Sequence, residues 1–212
     1  LGRAPSGNAA PGTARVAAPP RRATLEKSMN AEIIAVGSEL LTPARLDTNS
    51  LFLTDKLNSL GIELVAKMVV GDDAGRLAEA VRGALSRSEV VILSGGLGPT
   101  EDDVTRAGVA AALGRELVYR QDLCDAIARR FERMGRPMAD INRRQAFVIA
   151  GAEALPNPNG TAPGQWLEVS GRVLALLPGP PPELEPMFLD HCLPRLARLA
   201  PRLAIRTRCY RV

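Results

Sequence analysis

The sequence has little of the chemistry on which many catalytic and metal sites depend. His191 is the only histidine among 212 residues, so neither a histidine-based metal site nor a Ser-His-Asp triad can be built. Cys124, Cys192 and Cys209 are widely spaced and odd in number, which gives no zinc pattern and indicates reduced thiols in a cytoplasmic protein. The nucleotide fingerprints GxxxxGK[ST] and GxGxxG are also missing.

Long apolar runs and a basic folded region are missing as well. No apolar run approaches the ~20 residues that a membrane-spanning helix needs, so no membrane partner is expected. The formal net charge is +4, and residues 1–28 account for all of it through five arginine or lysine residues and one glutamate. The remainder is neutral overall, whereas a nucleic-acid-binding domain needs a basic face. The sequence therefore predicts no nucleic-acid partner.

The two ends of the chain differ in composition or pattern from the part between them. Residues 1–28 are rich in Ala, Pro, Gly and Arg and have no apolar periodicity, so they cannot bury enough surface to fold. We interpret them as a disordered leader or as translated sequence upstream of a natural start at Met29, and we favour the second. Residues 29–200 are expected to form one domain. Residues 201–212 are expected to form a strand or the start of a linker to an absent second domain.

Apolar strand patterns alternate with helical patterns along the first half of the domain. The predicted elements, strand first, are 32–37, 47–60, 62–70, 72–87, 89–93 and 101–113. Such alternation is typical of an α/β fold in which helices cover both faces of a parallel sheet. Further along, the sequence predicts a helix over 121–135, a short helix or ordered loop over 138–146, a hairpin formed by 165–170 and 172–177, and a helix from about Pro182.

The stretch SGGLGPTEDDVT, residues 94–105, combines glycines with three adjacent carboxylates. Glycines that follow a strand let backbone N–H groups close around an anion, whereas carboxylates repel one. A purely structural interpretation is available, because Thr100 can cap a helix and Asp103 can complete a capping box. This interpretation needs only one of the acids, and it leaves Glu101 and Asp102 without a purpose.

A divalent cation reconciles the acids with an anion. Mg²⁺ is held by one or two carboxylates and keeps its other positions for water and phosphate oxygens. The stretch also follows a buried parallel strand, where open α/β sheets place their ligands. We therefore expect the amides around Gly95, Gly96 and Gly98 to hold a phosphate. Asp102 and Asp103 are expected to bind the ion that bridges to it.

Polar residues also follow the other predicted strands and one later turn. Asp72 comes after the second strand, and it suits an N-cap. If the second and third strands are neighbours, Asp72 can instead join Asp103 in binding a metal or activating water. Ser38 and Glu39 follow the first strand on the same side, where Ser38 also suits an ordinary cap. Glu183 follows the turn LPGPPPEL, which can be purely structural.

Seven stretches resemble, in order, the N-terminal domain of the CinA (competence/damage-inducible protein) family. They are AVGSELL, DTNSLFLTDKL, VGDD, GGLGPTEDDVT, NRRQA, LPNPNGTAPG and LPGPPPEL, between Met29 and about Arg208. The family domain is itself similar to molybdopterin-binding domains of the MoaB/MogA type. The resemblance implies a three-layer α/β/α fold with a mostly parallel sheet. It also implies a homo-oligomer.

An activity and its residues are implied by the same resemblance. The reaction is metal-dependent hydrolysis of the pyrophosphate bond of ADP-ribose or a similar nucleotide, to AMP and ribose 5-phosphate, with Mg²⁺, Mn²⁺ or Co²⁺. Asp72 and Asp103 match the two essential aspartates of the relatives. The residues expected to contact the substrate are Gly37, Ser38, Glu39, Asn49, Gly95, Gly96, Gly98, Pro99, Thr100, Asn157, Gly160, Gly179 and Glu183.

Two other functions stay open. Molybdopterin binding or adenylylation would use the same phosphate-holding loop. A non-catalytic module that senses a nucleotide or organises an oligomer, within a two-domain nicotinamide-nucleotide amidohydrolase, is the third alternative. The crowded acids disfavour it, because a passive phosphate site prefers arginine or lysine. The loop LLTPARLDTN also departs from the family, since many members have a glycine near Pro43, and this departure can alter the mouth of the pocket.

Overall fold

The computed structural model describes residues 29–43 and 45–200, so the expected leader (1–28) and the expected terminal strand or linker (201–212) lie outside the described residues. The strands are β1 (Asn30–Val36), β2 (Glu63–Val70), β3 (Val90–Ser94), β4 (Leu117–Tyr119), β5 (Phe147–Ile149), β6 (Glu153–Leu155), β7 (Gly164–Val169) and β8 (Arg172–Leu177). The α-helices are α1 (Thr48–Ser59), α2 (Ala74–Arg87), α3 (Thr105–Leu113), α4 (Gln121–Arg133), α5 (Pro181–Met187) and α6 (Leu193–Leu199). Short 3-10 segments cover Ser38–Leu41 and Asp140–Ala146, and a π-helical segment covers Phe188–Cys192.

Six of the strands form one sheet in the order β2-β1-β3-β8-β7-β6. The first four are parallel to one another, and β7 runs antiparallel to both of its neighbours. Because the parallel strands point the same way, their carboxyl ends meet at one edge, which carries Val70, Val36, Ser94 and Leu177. β4 and β5 pair separately as a short antiparallel ribbon.

Helices cover both faces of the sheet, which confirms the predicted three-layer α/β/α fold. On one face, Ile33 of β1 packs in a buried cluster with Leu53 of α1 and Leu184 of α5. On the other face, the adjacent Ile34 packs with Leu77 of α2 and, from α3, Val109. This alternation is the two-residue period of a strand that is buried on both sides. Each such side chain contributes about 1.5–3 kcal/mol through burial.

Several predicted helix starts and strands are corrected by the structure. The helix predicted from residue 101 begins at Thr105, because residues 101–104 form a turn, and its N-cap Val104 makes no side-chain cap. The predicted capping box of Thr100 and Asp103 is therefore wrong. Asp72 is not an N-cap either, since Asp73 accepts from the Arg76 amide and caps α2. The strands β4, β5 and β6 were missed, because three residues are too few to establish a period of two.

Two further features of the described residues concern membrane crossing and the cysteines. Across 29–43 and 45–200, none of the helices combines the length and apolar character that crossing a bilayer requires. Cys124 and Cys192 are free and buried, and burial raises the pKa of the Cys192 thiol to about 12. Cys192 is therefore held as a protonated, unreactive thiol at neutral pH.

Candidate functional site

A cavity of about 520 Å³ opens at the carboxyl edge of the parallel strands. Its walls come from the segment between β1 and α1, from the glycine loop between β3 and α3 (residues 95–104), and from the proline turn between β8 and α5 (residues 178–180). We call it the first cavity, and it includes nine of the predicted site residues: Glu39, Asn49, Gly95, Gly96, Gly98, Pro99, Asp103, Gly179 and Glu183. Its position at a strand-end crevice is where open α/β sheets bind ligands.

The glycine loop is bound to the start of α3 through its carbonyl groups. The Thr105 hydroxyl donates to the Gly95 carbonyl at 2.7 Å, and the Thr105 amide donates to the Gly96 carbonyl at 3.2 Å. Gly95 and Gly96 have φ angles of 97° and 64°, which residues with a side chain rarely adopt. At Gly95 a Cβ would also collide with the Val36 carbonyl oxygen. Glycine is therefore required where the chain folds back onto α3.

Arg106 holds the next two carbonyls of the loop. Its Nη1 donates to the Leu97 carbonyl and its Nη2 to the Gly98 carbonyl, each at 2.7 Å. Only 6% of Arg106 is exposed, and burial lowers the pKa of its guanidinium to about 10, a shift that nearby Asp103 opposes. The sequence patterns predict no role for Arg106. The available signal was that it is the only charged residue in the α3 sequence TRAGVAAAL.

The fixed carbonyls determine which amides of the loop remain open. A trans peptide points its N–H group away from its carbonyl, so the amides of residues 96–98 face away from α3. The Gly98 amide donates to Asp103 Oδ1, and the Gly95 amide donates to the Leu177 carbonyl. Among the described residues, the amides of Gly96 and Leu97 have no acceptor. The amides left without an acceptor are thus those of Gly96 and Leu97, whereas the amides of Gly95 and Gly98, from the predicted set, are already bonded within the chain.

Asp103 binds the glycine loop from within. Its Oδ1 accepts from the Gly98 amide at 2.7 Å, and its Oδ2 accepts from the Thr100 amide and hydroxyl at 2.8 and 2.6 Å. An ionised carboxylate has about four acceptor sites, so Oδ1 keeps one lone pair for another ligand. Asp102 is exposed and, like Thr100, does not line the first cavity. The two neighbouring aspartates therefore have different surroundings.

Asp72 lies at the same sheet edge as Asp103, but it follows β2, whereas Asp103 follows β3. Its Oδ2 accepts from the Ser38 amide at 3.0 Å, and its own amide donates to Ser38 Oγ at 3.0 Å. The strand order places β1 between β2 and β3, so the condition under which Asp72 would join Asp103 is not met. Neither Asp72, Ser38 nor Gly37 lines the first cavity. This pair instead fixes the turn that presents Glu39 to the cavity.

The wall opposite the glycine loop contains an open acceptor. Asn49 lies in the first turn of α1, and its Nδ2 donates to the Gly179 carbonyl at 2.7 Å. That bond fixes the orientation of the amide group. Asn49 Oδ1 is buried and has no donor within the described residues. A ligand hydroxyl or amino group is the donor that this oxygen lacks.

A partition separates the first cavity from a second one. Asn157 Nδ2 donates to Glu183 Oε2 at 2.7 Å, and Gly160 packs against the same carboxylate. Glu183 faces the first cavity, whereas Asn157 and Gly160 line the second. Thr161 lines both and accepts from Gln145 Nε2 at 3.0 Å. Gln145 and Thr161 were not predicted as site residues, although the motifs NRRQA and LPNPNGTAPG contain them.

The donor groups of the first cavity suit a hard cation that arrives with a phosphate. Four carboxylates line it: Glu39, Asp47, Asp103 and Glu183. Within the described residues, no group of three or more His, Cys, Asp or Glu is arranged to hold an ion. Mg²⁺ does not need such a cage, because one or two carboxylates together with substrate phosphates and water complete its shell. The oxygen-only donors therefore fit Mg²⁺ or Mn²⁺ bound jointly with a ligand.

Comparisons with known proteins identify the family. Residues 32–198 match the family model for a probable molybdopterin binding domain. The chain is 60% identical over 184 residues to a CinA-like protein of Solibacter usitatus and 50% identical over 188 residues to one of Koribacter versatilis. The chain belongs to the family of probable molybdopterin binding domains, in which these relatives are CinA-like proteins.

Solved structures agree with this assignment. The crystal structure of CinA from Thermoplasma acidophilum is 34% identical and superposes with a TM-score of 0.71, covering 76% of this chain and 94% of that one. A molybdopterin biosynthesis protein of Mycobacterium abscessus is 16% identical with a TM-score of 0.54, covering 81% and 93%, and so shares the fold. The matched regions are 87% of this chain but only 44% and 45% of the two CinA-like relatives.

Proposed function

We propose that the first cavity hydrolyses the pyrophosphate bond of ADP-ribose, or of a similar nucleotide, with the help of a divalent metal ion. One observation carries the proposal. Gly96 and Leu97, whose amides have no acceptor among the described residues, line the same cavity as the carboxylate residues Asp103 and Glu39. Without a cation these groups oppose each other, and a metal-bound phosphate satisfies both.

Each residue in the cavity has a task under this proposal. The amides of Gly96 and Leu97 bind a non-bridging phosphate oxygen, in the way that glycine-loop amides at a strand end bind anions. The remaining lone pair of Asp103 Oδ1 binds the divalent ion. That ion, when bound, supplies charge neutralisation and Lewis acidity at the phosphoryl group. Asn49 Oδ1 accepts a hydrogen bond from a hydroxyl group of the ligand, and this bond orients the ligand.

The hydrolysis balances with water as the only co-reactant. The water oxygen forms a bond to one phosphorus, the bond from that phosphorus to the bridging oxygen breaks, and AMP and ribose 5-phosphate leave. Glu39 is our candidate for receiving the water proton, because its carboxylate faces the cavity and makes no hydrogen bond to the described residues. Asp72 acts through Ser38 by positioning this glutamate, so it is a positioning residue rather than a base.

The test is turnover of ADP-ribose, with AMP followed by chromatography. We expect AMP only when Mg²⁺, Mn²⁺ or Co²⁺ is present, and we expect Asp103→Ala to lower the rate at least about 100-fold, as loss of a principal electrostatic group does. Asp190→Ala is the matched control, because Asp190 is an exposed aspartate that does not line the first cavity. Full turnover by folded Asp103→Ala protein, or turnover in EDTA, would contradict the proposal.

Molybdopterin binding or adenylylation is the second candidate, and the match to the family of probable molybdopterin binding domains favours it. A pterin phosphate would use the same two amides and the same acids. Calorimetric titration with ADP-ribose and with molybdopterin separates the candidates, because the true ligand should bind more tightly by tenfold or more. If only the pterin binds, the proposed hydrolysis is wrong.

Properties of the whole protein remain proposals at this level. The chain spans less than half of its CinA-like relatives, so an amidohydrolase partner domain, a role as a nucleotide-sensing module and a homo-oligomeric state are predictions. A cytoplasmic location is also a prediction. Sedimentation of the purified chain, with and without nucleotide, measures the oligomeric state.

A further inference from the structure

The second cavity lies on the other side of the partition and has a volume of about 610 Å³. It is formed between α4 and the segment that follows β6, and His191 also contributes to its wall. Cavities of this size are in the range that holds small molecules. Apolar side chains form much of its floor: Leu123, Ala126, Ile127, Leu155, Pro156 and Pro163.

Three arginines from α4 line this cavity. Arg130 is tied to the opposite wall, because its Nη1 donates to the Pro158 carbonyl. Arg129 and Arg133 are one helical turn apart, so they project from the same side of α4. No hydrogen bond or ion pair joins either of these two side chains to the described part of the chain. The cavity therefore has an apolar floor beside two guanidinium groups that have no hydrogen-bond or ion-pair partner among the described residues.

Among the described residues, this wall has one carboxylate, and an ion pair neutralises it. Asp122 lines the cavity, and Arg120 binds it through two hydrogen bonds of 2.8 and 2.7 Å. Arg120 also lowers the pKa of Asp122, which therefore stays ionised and paired at neutral pH. The first cavity has the opposite composition, with four carboxylates and one arginine, Arg45. An anion thus meets unpaired positive charge in the second cavity and negative charge in the first.

We propose that the second cavity is a binding site for a phosphate-bearing small molecule with an aromatic ring, and that it binds this ligand without a metal ion. Arg129 and Arg133 bind the phosphate, since guanidinium groups match phosphate oxygens in charge and geometry. The ring packs on the apolar floor. This site is additional to the proposed hydrolytic function, and its ligand requirements are different.

The experiment is a calorimetric titration of the full chain with AMP in EDTA, at low salt. We expect one metal-independent site, unchanged in Asp103→Ala protein. The double variant Arg129→Ala/Arg133→Ala should bind AMP at least about tenfold more weakly, because hydrogen bonds to charged groups are lost. Adenosine, which has no phosphate, should also bind at least about tenfold more weakly than AMP.

Two controls keep the result interpretable. Arg136→Ala removes an exposed arginine that lies just beyond α4 and does not line the cavity, and it should leave AMP affinity within about twofold. Arg129→Lys/Arg133→Lys keeps the charge and should recover part of the affinity, with circular dichroism reporting the fold of each variant.

Several outcomes would overturn the second site. They are an absence of AMP binding to the folded chain in EDTA, unchanged affinity in the double alanine variant, loss of binding in Asp103→Ala protein, and equal affinities for adenosine and AMP. Failure of ADP-ribose turnover is a separate result, because the titration requires neither hydrolysis nor a metal ion.

Discussion

The two cavities have similar volumes, about 520 and 610 Å³, but opposite charge. They share Thr161, and the Asn157–Glu183 hydrogen bond separates them. In the first cavity, residues with open amides lie among carboxylates, and we propose that an anion enters it together with a cation. In the second, arginines face an apolar floor, so an anion can bind directly. Under the two proposals, neighbouring sites in one domain differ in their requirement for a metal ion through charge alone.

The way in which arginine is used also distinguishes the cavities. Arg106 is buried behind the first cavity, and both of its bonds go to backbone carbonyls of the glycine loop. Arg129 and Arg133 are exposed and bind nothing within the described residues. Arg106 therefore supports the structure of its cavity, whereas the α4 arginines are free to bind a ligand.

The largest expected effect is a loss of stability when Arg106 is replaced, which tests the structural role of this arginine. Arg106→Met leaves the buried Leu97 carbonyl and the partly buried Gly98 carbonyl without their donors, so the free energy of unfolding should fall by about 2–4 kcal/mol. Urea denaturation measures the change, and Arg129→Ala is the comparison, with an expected change within about 0.5 kcal/mol. Equal losses in the two variants would remove the distinction between buried and ligand-facing arginines.

The next effect concerns the partition. Gly160→Ala places a Cβ on the Glu183 carboxylate and close to Asn157, so the partition must shift and stability should fall by about 1–3 kcal/mol. The matched control is Gly83→Ala inside α2, where the new Cβ meets only the end of the Arg87 side chain. That control should stabilise the chain by about 0.5–1 kcal/mol. A neutral Gly160→Ala would mean that the partition is loosely packed.

A smaller effect sharpens the difference in charge. Glu39→Gln removes one negative charge from the first cavity while keeping the shape of the side chain. Affinity for Mn²⁺ in the presence of AMP should fall about three- to tenfold, because one carboxylate is lost near the ion. If Glu39 is also the base, the turnover number should fall as well. Unchanged metal affinity and turnover would place Glu39 outside the reaction.

The smallest effect is the response of the second cavity to salt. AMP binding in EDTA should weaken several-fold when ionic strength rises from about 0.05 to 0.5 M, because the arginines are exposed and their charge is screened. The same titration in Arg129→Ala/Arg133→Ala protein should be nearly independent of salt. A salt-independent affinity in the unmodified chain would indicate that the apolar floor alone binds AMP.

The elements that periodicity could identify were predicted well, and the contacts that depend on tertiary structure were not. The alternation of β1, α1, β2, α2 and β3 and the hairpin of β7 and β8 follow from local patterns, and the structure contains them. The strand order does not follow from such patterns. It places β1 between β2 and β3, and so separates Asp72 from the glycine loop.

The same limit applies within the site. Nine predicted residues line the first cavity, because glycines, prolines and acids at strand ends are visible in sequence. The bonding of each group is not visible. Thr100 and Asp103 have the spacing of a capping box, but the Asp103 oxygens accept hydrogen bonds from amides of their own loop. Arg106 was missed because the burial of an arginine depends on which carbonyls the fold brings to it.

The central claim is that the first cavity binds a divalent ion and a phosphate together. Its most direct test is the electron paramagnetic resonance signal of free Mn²⁺, titrated with and without AMP in the Arg129→Ala/Arg133→Ala background. We predict weak Mn²⁺ binding alone, a marked loss of free signal once AMP is added, and no such loss in Asp103→Ala protein. Tight Mn²⁺ binding without AMP, or a signal that AMP does not change, would contradict the account.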